Sequence, residues 1–462
     1  MINRWSDKDA AAFLKQHSAP WGKDLALQSY ASRLLGAEVD LVLYGGGNTS
    51  VKGSLSDVLG ESIETLFIKP SGLHMASMIP GDFIALDQKY LWRLRKLRRL
   101  SDEAMAQEFR RHRLGPQDGL PSVETLLHAF VGHQFIDHTH PSAILALTNR
   151  TDGERVAREA LGKDIAIVPY VTAGFALAIA VSKAIERNPH CKGAVLMQHG
   201  LITWGQTARG AYDRTIQIVG RAENYVAKRR SRPITARASV SPKEAQRRYV
   251  HVAPMLRGML SIPSGNPDNP FHRIILKPLV DSEVLRILDS KIGKGLVVSP
   301  PLTPDYLIRT KAYPLFVDKP RFDGIATVGV ANLAPLRDQL VRAIAAYASR
   351  YSAYIKKYAP GSTRGTATWD PLPRVVLMPG LGAVCIGRDT DQAAIAADIT
   401  RQALGIKTAI YESGGKYRGV PEHHLFDMEF HSFQRAKLAE TIRCPLTGGE
   451  SPIAILPFTA TP

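Results

Sequence analysis

Cysteine is scarce: Cys191, Cys385 and Cys444 stand far apart and none forms a CxxC pair. That excludes a disulfide framework and a thiolate zinc site. No apolar run approaches the roughly 18 residues of a membrane-spanning helix, and the start, MINRWSDKDA, lacks the apolar core of a signal peptide. A soluble, cytoplasmic protein is expected. The glycine-rich stretch at 45–47 lacks both the G-x-G-x-x-G dinucleotide fingerprint and the Gly-Lys-Ser/Thr of a phosphate loop, and Gly380-Leu381-Gly382 lacks the spacing of a nucleotide-binding loop. Zinc-finger and RNP signatures are missing too, so the formal charge of +17 is not accompanied by a nucleic-acid motif. Its basic runs, at 93–99 (RLRKLRR), 110–113 (RRHR) and 228–232 (KRRSR), read as solvated helix faces. Such a surface attracts small anionic substrates as well as nucleic acid. No nucleic-acid or membrane partner is expected.

What is present is an ordinary globular composition, with 45% hydrophobic and 22% charged residues, in a chain of 462 residues that needs two or more domains. The informative stretch is PSVETLLHAFVGHQFIDHTHP, residues 121–141. On a strand, His138 and His140 leave the same face, roughly 6–7 Å apart at Cα. One divalent metal is within reach of both. Catalytic zinc usually takes three protein ligands and keeps a position open. The third candidate is His199, where the apolar run before Gln198 stops at His-Gly. Glu124, in a Pro-Ser-x-Glu helix start capped by Ser122, is left to move protons. With 14 histidines in the chain, an H-x-H pair also arises by chance, and Glu124 is also what a helix N-terminus favours.

The remaining pattern is that of an α/β protein. A helix is expected over 22–36, strands at 41–44, 65–68, 84–86, 138–147, 165–168 and 193–198, and helices over 175–187 and 206–230. The glycines at 45–47 would let the backbone approach an anion, although a plain hairpin turn is equally consistent.

Five motifs in order, G-G-G-N-T-S (45–50), K-P-S-G (69–72), P-S-V-E (121–124), H-T-H (138–140) and Q-H-G (198–200), resemble the class II aldolase/adducin family. The family includes the fuculose- and rhamnulose-phosphate aldolases. The resemblance implies a three-layer αβα domain, Zn²⁺ or another divalent metal on His138, His140 and His199, and Glu124 as the acid/base. It implies reversible retro-aldol cleavage of a small phosphorylated ketose through an enediolate. It assigns Gly47, Asn48, Ser50, Ser71, Gly72 and Ser122 to the substrate phosphate, with Lys69 a further charge partner or a surface residue. Val123 departs from a second Ser of the fuculose enzyme, and 88–113 reads as an insertion. The resemblance also implies a homo-oligomer, in the family a tetramer. The alternatives are a sugar-phosphate epimerase or dehydratase using the same site, or a non-enzymatic adducin-like interaction module.

The domains are expected at 1–235 (catalytic), 236–244 (linker) and 245–462. Residues 374–387 (RVVLMPGLGAVCIG) repeat the pattern of 193–205, with Met378 on Met197 and Gly380 where the first copy has His199. The second α/β domain therefore reads as a degenerate repeat without metal ligands, against the alternative of two unrelated strand–turn–helix units. Its stretches at 300–311, 370–382 and 425–430 resemble the middle region of bifunctional aldolase/short-chain dehydrogenase proteins, whose dehydrogenase domain has no counterpart before Pro462. Asp305, Arg309 and Lys311 read as structural or surface residues rather than an anion site, and Glu422-His423-His424 as a turn.

Overall fold

The computed structural model describes the chain except residues 117–118, 324, 326–331, 360–369, 432 and 435–462; Cys444 lies outside the described residues. The chain packs as two units. The first holds Met1–Arg229 and is joined by His431, Phe433 and Gln434; the second holds Arg230–Phe430. The expected second domain thus loses those three residues to the first unit, where His431 lies 2.8 Å from the Asp102 carboxylate and Phe433 meets Phe109 edge-on. The expected linker at 236–244 already contains the start of the helix Pro242–Leu260. Ser241 caps it and Pro242 supplies a pre-set first turn.

In the first unit, β1 (Asn48–Ser56), β2 (Ser62–Ile68), β3 (Ile84–Asp87), β4 (Phe135–Thr139), β5 (Ala166–Val168), β6 (Gly193–Leu196) and β7 (Gly200–Gly205) form one sheet in the order β3-β2-β1-β4-β7-β6-β5. Only β5 and β6 run parallel. Every residue of β4, β6 and β7 is buried, as expected for strands covered on both faces. Helices 23–36, 142–148, 153–161 and 208–229 pack together as one set, and helices 88–93, 125–130 and 175–187 as another. This is a mixed α/β fold with a helical layer on either side. The helix Ala208–Arg229 buries Ala208, Ala211, Tyr212, Thr215 and Val219, a stripe with three- and four-residue spacing. Among the described residues no helix is long and apolar enough to cross a membrane.

Two expected strands of this unit take other forms. Leu41–Tyr44 is a turn whose Leu41 and Val42 amides bond back to Glu38, and Tyr44 has φ +49°. Residues 143–147 belong to the helix Ser142–Thr148, because Pro141 cannot extend the ladder and the Ser142 amide and hydroxyl are held by Asp40.

The second unit has β8 (Ile262–Asn266) paired with β9 (Asn269–His272), and a sheet of β10 (Ile275–Leu279), β11 (Leu315–Phe316), β12 (Val375–Met378) and β13 (Gly382–Gly387). The sheet order β10-β13-β12-β11 reproduces β4-β7-β6-β5, and each neighbouring pair has the same orientation. Gly200 to Gly382 and Gly205 to Gly387 are both separations of 182 residues. The close approaches repeat as well. A Cβ on Gly200 would lie 2.3 Å from the Thr139 carbonyl oxygen and one on Gly382 2.6 Å from that of Leu279; one on Gly205 would meet the Ala211 amide and one on Gly387 that of Ala393. The two hairpins therefore align one residue away from the methionine alignment: Gln198, with φ +50°, corresponds to Gly380, with φ +70°, and His199 to Leu381. His138 pairs with Ile202 as Pro278 pairs with Val384. The three imidazole positions thus carry Pro278, Val280 and Leu381.

One smaller expectation changes here, and Lys311 takes the structural one of its two expected roles. Glu422-His423-His424 starts the helix Glu422–Glu429 behind Pro421. Lys311 is buried, its ammonium bonded to the Asp370 carbonyl.

Gly205→Ala forces a methyl against backbone and is expected to destabilise the protein by about 1–3 kcal/mol. Gly220→Ala, inside a helix with nothing within 4 Å of the new methyl, should stabilise it by roughly 0.5–1 kcal/mol. Urea unfolding followed by tryptophan fluorescence measures both; the same sign for the two would contradict the close approach at Gly205.

Candidate metal centre

β4 lies between β1 and β7, and its alternation puts His138 on the face opposite Asp137 and Thr139. Asp137 accepts a bond from Gln28 at 2.8 Å; burial pushes its carboxyl up to about 7 against that bond. His140 follows the strand, and its amide donates to the Leu41 carbonyl at 2.9 Å, so the turn at 41–44 fixes the end of β4. His199 arrives from the β6–β7 hairpin. There the left-handed Gln198 and a bond from the His199 amide to the Leu196 carbonyl, 3.1 Å, turn the chain back onto β4.

The three imidazoles meet. Their ring centroids are 4.8, 5.0 and 5.1 Å apart, and one nitrogen from each lies within 4.8 Å of the others. All three are buried. The Nδ1 of His138 faces the Leu201 carbonyl at 3.0 Å, so that ring's Nε2 points into the cluster as an acceptor. The Nε2 atoms of His138 and His140 are 3.0 Å apart. Two lone pairs at that distance repel unless a proton or a cation lies between them. Glu124 completes the site, with Oε2 3.3 Å from His138 Nε2 and Oε1 3.2 Å from His199 Nε2. Burial raises its pKa, but His138, His199 and His140 together hold it well below the usual carboxylate range. Three buried nitrogen donors beside a carboxylate fit a divalent ion, with His138, His140 and His199 as its ligands.

Glu124 immediately precedes the helix Thr125–Phe130 instead of lying in its first turns. Ser122 does not cap that helix; its carbonyl accepts from the Thr125 amide and its hydroxyl from the Glu124 amide at 3.3 Å. The carboxylate is held by Asn48, whose amide donates to Glu124 Oε2 at 2.7 Å and to the Ser122 hydroxyl at 3.0 Å. Asn48 is the residue opposite His138 in the β1–β4 ladder. Its carbonyl oxygen meets the Nε2 of His128, whose Nδ1 meets the Ser50 hydroxyl at 2.7 Å. Burial, then His138, pulls His128 down to about 3 against the influence of Glu124, so the ring is neutral. His128 was missing from the sequence-based site. Its place on the helix after Glu124 was visible, but its partners on β1 were not.

The other residues assigned to the phosphate surround this network. Gly47, with φ +62°, has no room for a side chain, since a Cβ would lie 2.7 Å from the His138 carbonyl oxygen. Gly45 packs as closely on Gly72. Ser71 is buried, and its hydroxyl has no protein partner among the described residues. Lys69 is buried, not a surface residue, and its ammonium reaches the Pro70 carbonyl at 3.2 Å and that of Gly45 at 3.5 Å.

Residues 29–226 match the family described as Class II Aldolase and Adducin N-terminal domain, and residues 247–438 match Aldolase class II, second domain. The uncharacterized oxidoreductase YuxG of Bacillus subtilis is 29% identical over 417 residues, covering 88% of this chain. The chain spans only 57% of that relative's length. The 5-methylthioribulose-1-phosphate/5-deoxyribulose-1-phosphate aldolase of Rhodospirillum rubrum is 29% identical over 190 residues, 39% of this chain and 73% of that protein. Among solved structures, the N-terminal class II aldolase domain of a conserved protein from Thermoplasma acidophilum is 36% identical, covering 49% of this chain and 99% of its own, with a TM-score of 0.44.

If the cluster holds a divalent metal, His199→Ala is expected to lose most of the ion that the parent protein keeps after dialysis. Asn48→Ala, which removes the amide that holds Glu124 and leaves all three imidazoles, should keep it. Elemental analysis reads both, and parent-level metal in His199→Ala would remove that residue from the ligand set.

Proposed function

The chain belongs to the class II aldolase/adducin family, with an N-terminal aldolase domain and a second aldolase II domain, and on that premise we propose that its first unit is a metal-dependent aldehyde-lyase acting on a small phosphorylated ketose. The observation that carries the reading is the convergence of three buried imidazoles on one point, with a carboxylate 3.2–3.3 Å from two of them. A divalent ion held there, Zn²⁺ in this reading, supplies positive charge that stabilises the oxyanion developing on the substrate's carbonyl oxygen.

The chain's own residues supply the rest. In the cleavage direction the hydroxyl next to the scissile bond gives its proton to the ionised Glu124 carboxylate, the carbon–carbon bond breaks and the aldehyde leaves. The electron pair stays on the ketone-side fragment as an enediolate, and Glu124 delivers a proton to its carbon; in the synthetic direction Glu124 removes that proton. The Asn48 amide fixes which carboxylate oxygen faces the reacting carbon, and neutral His128 holds Asn48 from behind. A carboxylate kept ionised and desolvated beside the ligands is suited to this transfer. The Ser71 hydroxyl, the Ser122 hydroxyl and the tight turn at Gly47 are assigned to the substrate's anionic head group. Asn48 and Ser50 act from inside the network, since Asn48 is engaged with Glu124 and Ser50 with His128. Retention of all three imidazoles and the carboxylate supports an enzyme over a pure interaction module.

Glu124→Gln should retain the metal and slow α-proton exchange of a ketose phosphate in D₂O by about 10²–10⁴-fold. Unchanged exchange would take the proton transfer away from Glu124. A screen of ketose phosphates for aldehyde release tests the reaction class, and epimerised sugar without aldehyde would replace the lyase reading.

A further inference from the structure

The second unit, in which no metal-ligating cluster is found among the described residues, has a cavity of its own. It measures ≈ 50 Å³ and is walled mainly by apolar side chains, among them Val297, Pro314, Val375, Leu377 and Leu404. A single water needs about 10–15 Å³ on this measure, so the space suits a ligand of a few heavy atoms. Two buried lysines line it. Lys311 is compensated: its ammonium bonds to the Asp370 carbonyl, has Asp370 Oδ1 at 3.9 Å, and lies 4.1 Å from the centre of the Tyr351 ring. Lys407 differs.

Lys407 sits on the helix Thr390–Glu412, on the face that also presents Thr400, Ala403 and Leu404 to the cavity. It is only 4% exposed. Its ammonium donates to the Ser299 carbonyl at 3.2 Å and stands 4.9 Å from the centre of the Tyr417 ring. Among the described residues no carboxylate pairs with it. Burying an ammonium without a counter-charge costs several kcal/mol. The Ser299 carbonyl accepts one of three ammonium donors.

We propose that this cavity binds a short aliphatic monocarboxylate, its carboxylate on Lys407 Nζ and its alkyl body against the apolar wall. A phosphate ester suits the site less well, because its doubly charged head would face aliphatic carbon on most sides and exceed the space. Burial pulls Lys407 down to about 7, and an anion beside it restores the charged form. The site owes nothing to the imidazole centre of the first unit.

Calorimetric titration of the full chain with sodium propionate tests this, with propionamide as the neutral isostere and sodium chloride at equal ionic strength as the control. Propionate should bind saturably. Propionamide, and propionate on Lys407→Met, should each bind roughly tenfold more weakly or worse. Lys407→Met removes an uncompensated charge at similar volume and should fold. Ala403→Phe, which fills the cavity and leaves Lys407 in place, should abolish binding. No saturable propionate heat, equal affinity for propionamide, or parent-level affinity in Lys407→Met would each overturn the proposal. A carboxylate held at the first unit's imidazoles would give that last result. Should Lys407→Met fail to fold, propionamide and Ala403→Phe decide in its place.

Discussion

A carboxylate taken out of water stays charged only if positive charge or strong donors replace its hydration. Glu124 is 5% exposed, and the first unit is arranged around that requirement. His138 and His199 stand beside its two oxygens, Asn48 donates to one of them, and His128 fixes Asn48. A divalent ion on the three imidazoles adds to the same balance, in the same direction. Without those partners, burial alone would push the carboxyl towards its neutral form.

The scaffold that delivers these groups is four strands wide. β4 carries His138 and is followed by His140, the hairpin from β6 to β7 carries the third imidazole, and β1 on the other side of β4 brings Asn48 opposite His138. The second unit keeps the same strand order, orientations and hairpin glycines without the chemistry. At the ligand positions it has Pro278, Val280 and Leu381, none of which offers a side-chain ligand atom. The same strand arrangement thus occurs both with and without the imidazole set. With the imidazoles gone, the titratable groups buried in the second unit cluster elsewhere, around Lys311, Asp370 and Glu429 and at Lys407.

Much of this was readable from the chain. His138 and His140 announced themselves through the two-residue period of a strand, and His199 through the apolar run that ends in His-Gly. The strand at 193–198 was close to the observed β6, and the helix at 175–187 matches the observed element, because long apolar periodicity is set locally. The failures were also local. Residues 143–147 are apolar enough for strand or helix, and Pro141 with Asp40 chose helix. Leu41–Tyr44 looked extended, but its amides bond back to Glu38. The methionine alignment placed His199 on Gly380, one residue from the match that the hairpin ladders establish.

The sequence alone determined the donor set, its order and the presence of a second α/β domain, because residue type and strand period are local properties. Only the tertiary structure decided what those residues touch. It turned Ser50 towards His128 and Asn48 towards Glu124, put Lys69 and Lys311 inside, and left Lys407 beside a cavity without an acid among the described residues. Such pairings join positions up to about 100 residues apart, and no local pattern records them. They follow from which strands lie side by side and from the cost of leaving a buried polar group unmatched.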